Sequence, residues 1–398
     1  MSERGEGHSN FHPRALSEEH SDETNRARHA PRSLSEERSD ETKRERRALW
    51  IVPVSDLGGV ARHVIDASRV GIPGWELTIL CPEGPLAERL RAQGARVIAG
   101  AFGPHVGVRA SRRALSVAMR EVRPEIVHSH LAYADIVSAL TRMPNTTRRF
   151  TTEHGIAGDD GVYHRSSLQA RVMAAVHRWR FRRFHGVIAV SRATRDAMKS
   201  KWGVQQPITV IPNGVDLPDG VKRRDASSVT GLRILSLSRL APEKRIDKLL
   251  EAFALIISEH PEATLTIAGD GPLGDELKDF ADQLGILEAA TFPGFVEPDS
   301  ALANADVVAQ LSIWENCSYT LLDAVARGLR VIAADTGGNR EIVGESAVVN
   351  AIDRDSIAAA TPRAKIPGGR RSHTVLDMCQ ATSLAYGAPA DEEVSHVD

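Results

Sequence analysis

The chain has 398 residues, a formal net charge of −2, a hydrophobic content of 42% and only three cysteines. This length allows two domains with separate cores, and the near-neutral charge argues against a general nucleic-acid-binding protein. The cysteines are too few and too scattered for a disulfide framework or a zinc site, no apolar stretch approaches the roughly 20 residues of a membrane-spanning helix, and the N-terminus lacks the apolar core of a secretory signal. We therefore expect a cytoplasmic protein with reduced thiols.

The first 47 residues form a polar segment with an internal duplication. Residues 13–19 recur as residues 31–37, and the likeness continues through 21–24 and 39–42. With almost no apolar residues, this segment cannot bury enough surface to offset the entropy of ordering it. We expect residues 1–47 to be a disordered, dispensable extension, and an interaction arm is the alternative.

The first predicted domain spans residues 48–217. Residues 48–54 predict a buried strand, and a turn at Gly58 and Gly59 leads into a helix. Glycine lets the backbone approach a phosphate at a helix N-terminus, but the Gly-x-Gly-x-x-Gly pattern of dinucleotide folds is missing, which disfavours an oxidoreductase. Alternation continues with strands at 76–80, 96–99, 126–128, 149–152 and 187–190, and with helices at 84–93, 107–122, 133–142 and 165–184.

Histidines occur at two of these strand ends. His128 and His130 belong to one, and His154 follows the next strand along the chain. A single histidine there is more often a structural hydrogen-bonding group. Ligands of parallel α/β sheets, however, bind at the carboxyl ends of the strands, so two such sites favour a cleft.

A second alternating series follows a polar linker at 218–231 and forms a predicted domain at 232–361. Its strands are predicted at 232–237, 263–268, 290–292, 307–310 and 331–333. Arg239 and Lys244 lie between the first of these strands and a helix at 246–259, where they could bind a diphosphate. The alternative is two solvated basic side chains. Glycine turns at Gly269–Pro272, Gly294 and Gly337 fall at further strand ends.

The stretch from Glu315 to Asp323 is the most informative part of this domain. A helix starting near Ser318 would point its first amides at the space next to Glu315, with Asp323 a turn and a half further along. Such an arrangement suits a ligand that carries hydroxyls and an anion. The alternative is an ordinary capped helix with two solvated acids.

Several segments, in the same order along the chain, resemble the retaining glycosyltransferases of family 4. These enzymes have the GT-B fold, an α/β fold of two tandem Rossmann-like domains with a cleft between them. The likeness covers roughly residues 48–350 and rests on residues 189–191, 211–216, 238–244, 268–272, 315–323 and 335–343. It implies a nucleotide-diphosphate sugar bound mainly by the second domain and an acceptor held by the first.

The resemblance also implies roles for individual residues. Arg239 and Lys244 match the diphosphate clamp of the family, and Glu315 matches the first acid of its paired-glutamate motif, which holds donor-sugar hydroxyls. Asp323 stands where the family has a second glutamate that grips the nucleotide ribose. His130 matches a histidine near the reacting centre, and His128 and His154 are candidates for the acceptor side. Further donor-binding residues are Gly58, Gly59, Asn316, Cys317, Ser318, Tyr319, Thr320 and Gly294.

The implied reaction is transfer of a hexose, with retention, to a hydroxyl of a lipid-linked or polysaccharide acceptor in cell-envelope synthesis. Arg239, Lys244 and helix amides would stabilise the leaving diphosphate, while Glu315 positions the sugar and is no covalent nucleophile. Neither a metal nor another cofactor is expected. Residues 353–355 form an Asp-x-Asp sequence, which we interpret as a solvated helix start.

Two features bear on location and activity. Basic residues in 109–123 and 165–185 could hold an anionic membrane surface, and the alternative is ordinary solvated helix faces. Residues 362–398 depart from the family, although 375–386 predict a helix that crosses back to the first domain. Asp323 and this tail suggest, as an alternative function, a non-catalytic or weakly active protein that binds a nucleotide sugar or a partner. The oligomeric state stays open.

Overall fold

The computed structural model describes residues 46–156, 167–223, 231–367 and 373–387, with side chains from 173 onwards in the helix that starts at 167. The predictions for residues 1–45, for 224–230 of the linker and for the last eleven residues lie outside this part. The strands are β1 (Arg46–Ile51), β2 (Trp75–Cys81), β3 (Arg96–Ala99), β4 (Ile126–His130), β5 (Arg148–Glu153), β6 (Gly186–Ala189), β7 (Ile208–Val210), β8 (Arg233–Leu237), β9 (Thr264–Ala268), β10 (Ala290–Gly294), β11 (Val307–Gln310), β12 (Arg330–Ala334) and β13 (Val348–Val349).

Helices alternate with these strands. They are α1 (Gly59–Val70), α2 (Pro85–Ala92), α3 (Gly107–Val122), α4 (Ala132–Leu140), α5 (Ser167–Phe181), α6 (Arg192–Trp202), α7 (Ile246–Glu259), α8 (Gly274–Gln283), α9 (Pro298–Asn304), α10 (Tyr319–Arg327), α11 (Asn339–Val343), α12 (Arg354–Ala360) and α13 (Val375–Ala385). None of the helices in the described residues is long and apolar enough to span a lipid bilayer.

The strands form two parallel sheets, one in each half of the described chain. The first has the order β3-β2-β1-β4-β5-β6-β7 and the second the order β10-β9-β8-β11-β12-β13. The direction of winding reverses between β1 and β4 in the first sheet and between β8 and β11 in the second. Open α/β sheets bind ligands at such switch points, beyond the carboxyl ends of the strands. The predicted α/β fold of two Rossmann-like domains is confirmed.

Both sheets are buried on their two faces, as strands covered by helices must be. In the first, residues 48–51 of β1 are completely buried, and Trp50 packs in a cluster with residues of α1 and α2. In the second, the core includes Phe253 of α7 and Ile267 of β9. The buried central strands therefore hold the switch-point loops in fixed positions.

The C-terminal helix returns to the first sheet. The predicted helix at 375–386 is present as α13, and Val375, Met378 and Tyr386 are buried in the core next to β1 and α1. Thr374 caps this helix, because its side chain accepts from the amide of Asp377 while the Asp377 carboxylate accepts from the amide of Thr374. The chain thus ends its described part within the first domain.

Two predictions need correction. β1 begins at Arg46, two residues before the predicted start. The charge of Arg46 is compatible with the strand because its guanidinium pairs with Glu125 at 3.1 Å and stacks on Trp75. The basic segment 165–185 is not uniformly a surface, since Arg180, Phe181 and Phe184 are buried. The helix start at Asp353 is confirmed, as its carboxylate caps α12.

Candidate functional site

Glycines hold the loop that carries Glu315 in place. Gly337 and Gly338 follow β12, and Gly337 has a backbone φ of +51°. A methyl group at Gly337 would overlap the carbonyl oxygen of Glu315, and one at Gly338 would overlap that of Asn316. Only glycine allows this contact, so the loops after β11 and β12 pack backbone to backbone.

Lys244 and Glu315 form an ion pair at the switch point of the second sheet. The Lys244 ammonium donates to a carboxylate oxygen of Glu315, and both side chains are mostly buried. Arg239 lies apart from this pair, since its guanidinium contacts Glu243 at 2.6 Å and 66% of its side chain is exposed. The two cations of the expected clamp therefore have different acidic partners in this structure.

The N-terminus of α10 points into the same region. Ser318 caps the helix by accepting from the amide of Leu321, and its hydroxyl donates to Gln310 at 2.7 Å. Thr320 donates to the carbonyl oxygen of Leu237 at 3.2 Å, which joins α10 to the end of β8. Burial raises the pKa of Cys317 to about 12, so this thiol stays protonated and is unsuited to nucleophilic catalysis. A helix N-terminus held in this way offers amides to an anion.

Asn316 and Glu341 connect the two domains. The side-chain oxygen of Asn316 accepts from the amide of Ile156 at 3.2 Å and from the Thr194 hydroxyl at 3.0 Å. The Glu341 carboxylate accepts from the amides of Arg192 and Ala193, at the N-terminus of α6. Asn316 was predicted to bind the donor, and here its side chain faces the first domain.

Asp323 is held by arginines. Both N–H arms of Arg62, on α1, donate to its two oxygens, with 2.9 Å between Nη2 and Oδ1. Arg327 lies 3.5 Å from the same Oδ1. Burial alone would lower the pKa of Arg62, but the contact with Asp323 outweighs this and raises it. The guanidinium also lies 4.4 Å from the centre of the Tyr319 ring.

Three histidines, here called the histidine cluster, meet at the switch point of the first sheet. His130 Nδ1 lies 2.8 Å from His154 Nε2, and nitrogens of His63, His130 and His154 all fall within 4.8 Å of one another. Burial lowers the pKa of His63 to about 4 and the pKa values of the other two well below their usual range. All three imidazoles are therefore neutral near pH 7.

The hydrogen bonds of Asn213 assign the tautomer of His63. The Asn213 amide nitrogen donates to the carbonyl oxygen of Cys317 at 3.0 Å, so its oxygen must face His63 Nδ1, 3.1 Å away. His63 Nδ1 then carries the proton, and Nε2 keeps a lone pair. Asn213 thus joins the histidine cluster to the loop that follows Glu315.

A similar argument assigns His128. The Trp50 indole can only donate, so the Tyr386 hydroxyl accepts from it at 2.9 Å and donates its own proton to His128 Nδ1. His128 Nε2 consequently carries the proton and donates to Thr152 at 2.8 Å. His128 is 1% exposed. It cannot touch an acceptor directly, and it stacks at 4.7 Å on His130, which is itself completely buried in this structure.

Strain and buried charge surround the histidine cluster. Leu131, directly after His130, has a φ of +74°, which is unusual for a non-glycine residue and typical of functional turns. Below it, Arg180 is completely buried between Asp135 and Glu153. Burial raises the pKa of Asp135 to about 7 despite Arg180, so one added proton would leave this triad neutral.

The remaining predicted residues lie on either side of the cleft. Gly58 and Gly59 precede and begin α1, and a methyl group at Gly59 would be 3.9 Å from the Tyr319 ring. Gly294 lines a recess in the second domain together with Phe292, Lys278 and the turn 269–272. The structure therefore brings Gly59, Tyr319 and the Asn316 loop together, while Gly294 lines a recess that also includes Leu240, the residue after Arg239.

Two family models match the chain in tandem. One, described as Glycosyltransferase Family 4, matches residues 57–218, and the other, described as Glycosyl transferases group 1, matches residues 222–362. The chain belongs to glycosyltransferase family 4. The boundary between the two matches falls in the predicted linker.

Relatives of this family 4 glycosyltransferase are named for different products. It is 28% identical to glycogen synthase of Mycobacterium tuberculosis over 329 residues, which is 74% of this chain and 78% of that protein. It is 35% identical to the alpha-monoglucosyldiacylglycerol synthase of Streptococcus pneumoniae over 164 residues, 37% of each chain. The crystal structure of Anabaena Alr3699/HepE in complex with UDP and glucose shares the fold, with a TM-score of 0.71, 19% identity and coverage of 86% of this chain and 99% of that one.

Sequence reasoning missed several residues of the site. Arg62 and His63 follow the Gly58–Gly59 turn within one helical turn, so their position next to a predicted ligand loop could have identified them. Tyr386 had no comparable signal, because its partners Trp50 and His128 are distant in sequence. Glu341 lies in the segment 335–343 that carries the resemblance, but its contact with the start of α6 had no local signal.

Proposed function

We propose that this glycosyltransferase transfers a hexose, with retention, from a nucleotide-diphosphate sugar to a hydroxyl of a lipid-linked or polysaccharide acceptor, without a metal. The observation that carries this proposal is the meeting of the two switch points. Asn316 follows Glu315 and bonds to Ile156, two residues after His154. The Lys244–Glu315 pair and the histidine cluster therefore lie on facing sides of one cleft.

The two sides suit the two halves of the reaction. As the bond between the anomeric carbon and the diphosphate breaks, negative charge develops on phosphate oxygens, which Lys244, Arg239 and the amides of α10 can stabilise. The acceptor oxygen forms the new bond on the same face, and its proton passes to the leaving phosphate. Glu315, already paired with Lys244, is suited to hold sugar hydroxyls, and the exposed Arg239 can turn to the diphosphate when it arrives.

The donor class is supported by the relatives and by the recess at Gly294. Alr3699/HepE is seen with UDP and glucose, and the recess combines the glycine turn 269–272 with the aromatic Phe292, which suits a nucleotide base. The acceptor class is supported by relatives named for a polysaccharide and for a glucosylated diacylglycerol.

A turnover assay tests the proposal. Purified protein with UDP-, GDP- or ADP-hexose should release the nucleoside diphosphate, Arg239→Ala should slow release by a factor of at least about 100, and EDTA should not. Retention is checked by the anomeric proton coupling of the product in NMR spectra. If the protein binds a donor but releases no diphosphate with any acceptor extract, the non-catalytic alternative is favoured. If Arg239→Ala leaves the rate unchanged, Arg239 does not belong to the site.

The helix α3 supports a membrane-adjacent acceptor. Its exposed face carries four arginines and one acid: Arg109, Arg112, Arg113, Arg120 and Glu121. Such a face is attracted to anionic lipid headgroups. The protein should co-sediment with vesicles that contain phosphatidylglycerol, and replacement of Arg112 and Arg113 by Glu should abolish this. Equal binding to neutral vesicles would contradict an electrostatic attachment.

A further inference from the structure

Arg62 reaches across the cleft with more donors than its partners use. Nη1 and Nη2 each donate to Asp323, and Nε donates to Asp66 at 3.4 Å. A guanidinium has five N–H groups, so these contacts with described residues leave two of them. The side chain is 33% exposed although its head lies on the Tyr319 ring. The unused donors are therefore within reach of a ligand.

Asp323, in contrast, has little left to offer. Its side chain is 4% exposed, both oxygens accept from Arg62, and Arg327 approaches one of them from its own helix. An aspartate is one methylene shorter than a glutamate, so its carboxylate stays close to α10. A ribose hydroxyl could reach this carboxylate only by competing with two guanidinium groups.

The location of Arg62 fits the nucleotide end of the donor. It lies one turn into α1, directly after the glycine turn, and Tyr319 contacts both Arg62 and the space next to Gly59. Helix N-termini and arginines both favour phosphate oxygens. Arg62 thus lies near the start of α1 and against Tyr319, the first residue of α10.

We propose that Arg62 and Asp323 act as one unit in donor recognition: Asp323 holds the guanidinium across the cleft, and Arg62 binds the phosphate oxygens of the nucleoside diphosphate. This proposal rests on the proposed function. It adds a phosphate-binding side chain to the first domain, whose predicted donor contacts are otherwise the glycines Gly58 and Gly59. It also gives Asp323 a role that glutamate, with a longer side chain, would not fill in the same place.

Calorimetric titration tests the unit. Wild-type protein is titrated with UDP, GDP and ADP. The dissociation constant of the diphosphate that binds is then compared with that of the corresponding nucleoside. Arg62→Met should weaken diphosphate binding by about 10- to 100-fold and leave nucleoside binding unchanged, since hydrogen bonds to charged groups are the strong ones. Arg69→Met is the matched control on the same helix, because Arg69 also pairs with an aspartate, Asp216, at 2.8 Å.

Two further variants distinguish one unit from two independent residues. Asp323→Asn should weaken binding in the same direction, and the double variant should bind no worse than Arg62→Met alone, because coupled residues are not additive. Arg62→Lys keeps the positive charge but lacks the paired N–H donors of the guanidinium, so it should weaken diphosphate binding less than Arg62→Met does. It serves as the test if the methionine variant does not fold.

The outcomes separate this proposal from the proposed function. Wild-type binding of a diphosphate with equal or tighter binding by Arg62→Met would overturn the role of Arg62 and leave the transferase intact. Additive losses in the double variant would overturn the single unit. Wild-type protein that binds none of the three diphosphates would refute the donor site itself and this proposal with it.

Discussion

Removal of one hydroxyl, in Tyr386→Phe, is expected to uncouple the C-terminal helix from the first domain's histidines. This hydroxyl accepts from Trp50 and donates to His128, and all three side chains are buried. Phenylalanine would keep the ring, which packs against Phe150 with centroids 4.9 Å apart. The substitution therefore tests the hydrogen bonds and leaves most of the packing.

The size of the effect follows from the two partners that would be left unpaired. A buried donor or acceptor that loses its partner costs about 1–3 kcal/mol. Two such groups, reduced by some relaxation, give a loss of about 2–4 kcal/mol in the free energy of unfolding. This is a large share of the roughly 5–15 kcal/mol that stabilises a typical domain.

Urea unfolding followed by tryptophan fluorescence measures the loss, and Tyr133→Phe is the control. The Tyr133 hydroxyl lies 3.0 Å from Ser111, which also accepts from the amide of Gly103, so the control leaves no buried group unpaired and should cost at most about 1 kcal/mol. Because His128 stacks on His130, Tyr386→Phe should also lower the transfer rate. A loss of stability no greater than that of the control would refute the hydrogen-bond assignment.

Four other predictions concern the site and its support. Lys244→Met should lower kcat/KM for diphosphate release by at least about 100-fold, and an unchanged value would exclude it from the reaction. Gly214→Ala should destabilise the chain by about 1–3 kcal/mol, since a methyl group would overlap the carbonyl oxygen of Thr374, at the start of α13, whereas Gly100→Ala, with open space around it, should not. Because burial lowers the pKa of His63 to about 4, the unfolded state binds its proton first, so stability should fall as pH drops from about 6.5 to 4. In His63→Asn the free energy of unfolding should fall less steeply as pH drops, by up to about 1.4 kcal/mol per pH unit, and the same slope in variant and wild type would contradict the lowered pKa of His63. EDTA should not change the rate, but Zn²⁺ should inhibit it through the neutral nitrogens of the histidine cluster, and His63→Asn should relieve this.

Local sequence patterns predicted the fold and the positions of the site residues at strand ends. The β/α alternation fixed two parallel sheets, and glycine turns and strand ends pointed to Gly59, His130, Lys244 and Glu315 because ligands gather at one edge of such sheets. The partner of Asp323 could not be found in this way. Arg62 lies 261 residues away, and no local periodicity records a contact of that kind.

Basic residues misled the sequence analysis for a related reason. Arg180 was counted with a cationic surface because lysine and arginine are rarely buried unless they are paired. Its partners, Asp135 and Glu153, lie on other elements, 45 and 27 residues away. A buried triad therefore has the same local sequence as a solvated helix face, and only the tertiary structure distinguishes the two.

Several contacts across the cleft are polar, and this has a consequence for catalysis. Arg62 to Asp323, Asn316 to Ile156, and Glu341 to the start of α6 are all hydrogen bonds or ion pairs. Polar interfaces between domains separate at lower cost than apolar ones, whereas α13 is fastened to the first domain by buried apolar side chains. We therefore expect the second domain to rotate as a hinged body. The hinge would be the two places where the chain passes between the domains, near residues 214–216 and 373–375, which are joined by a hydrogen bond from the Val215 amide to the His373 carbonyl. Opening would break the Arg62 contact and admit the donor, and closure would remake it around the bound phosphates.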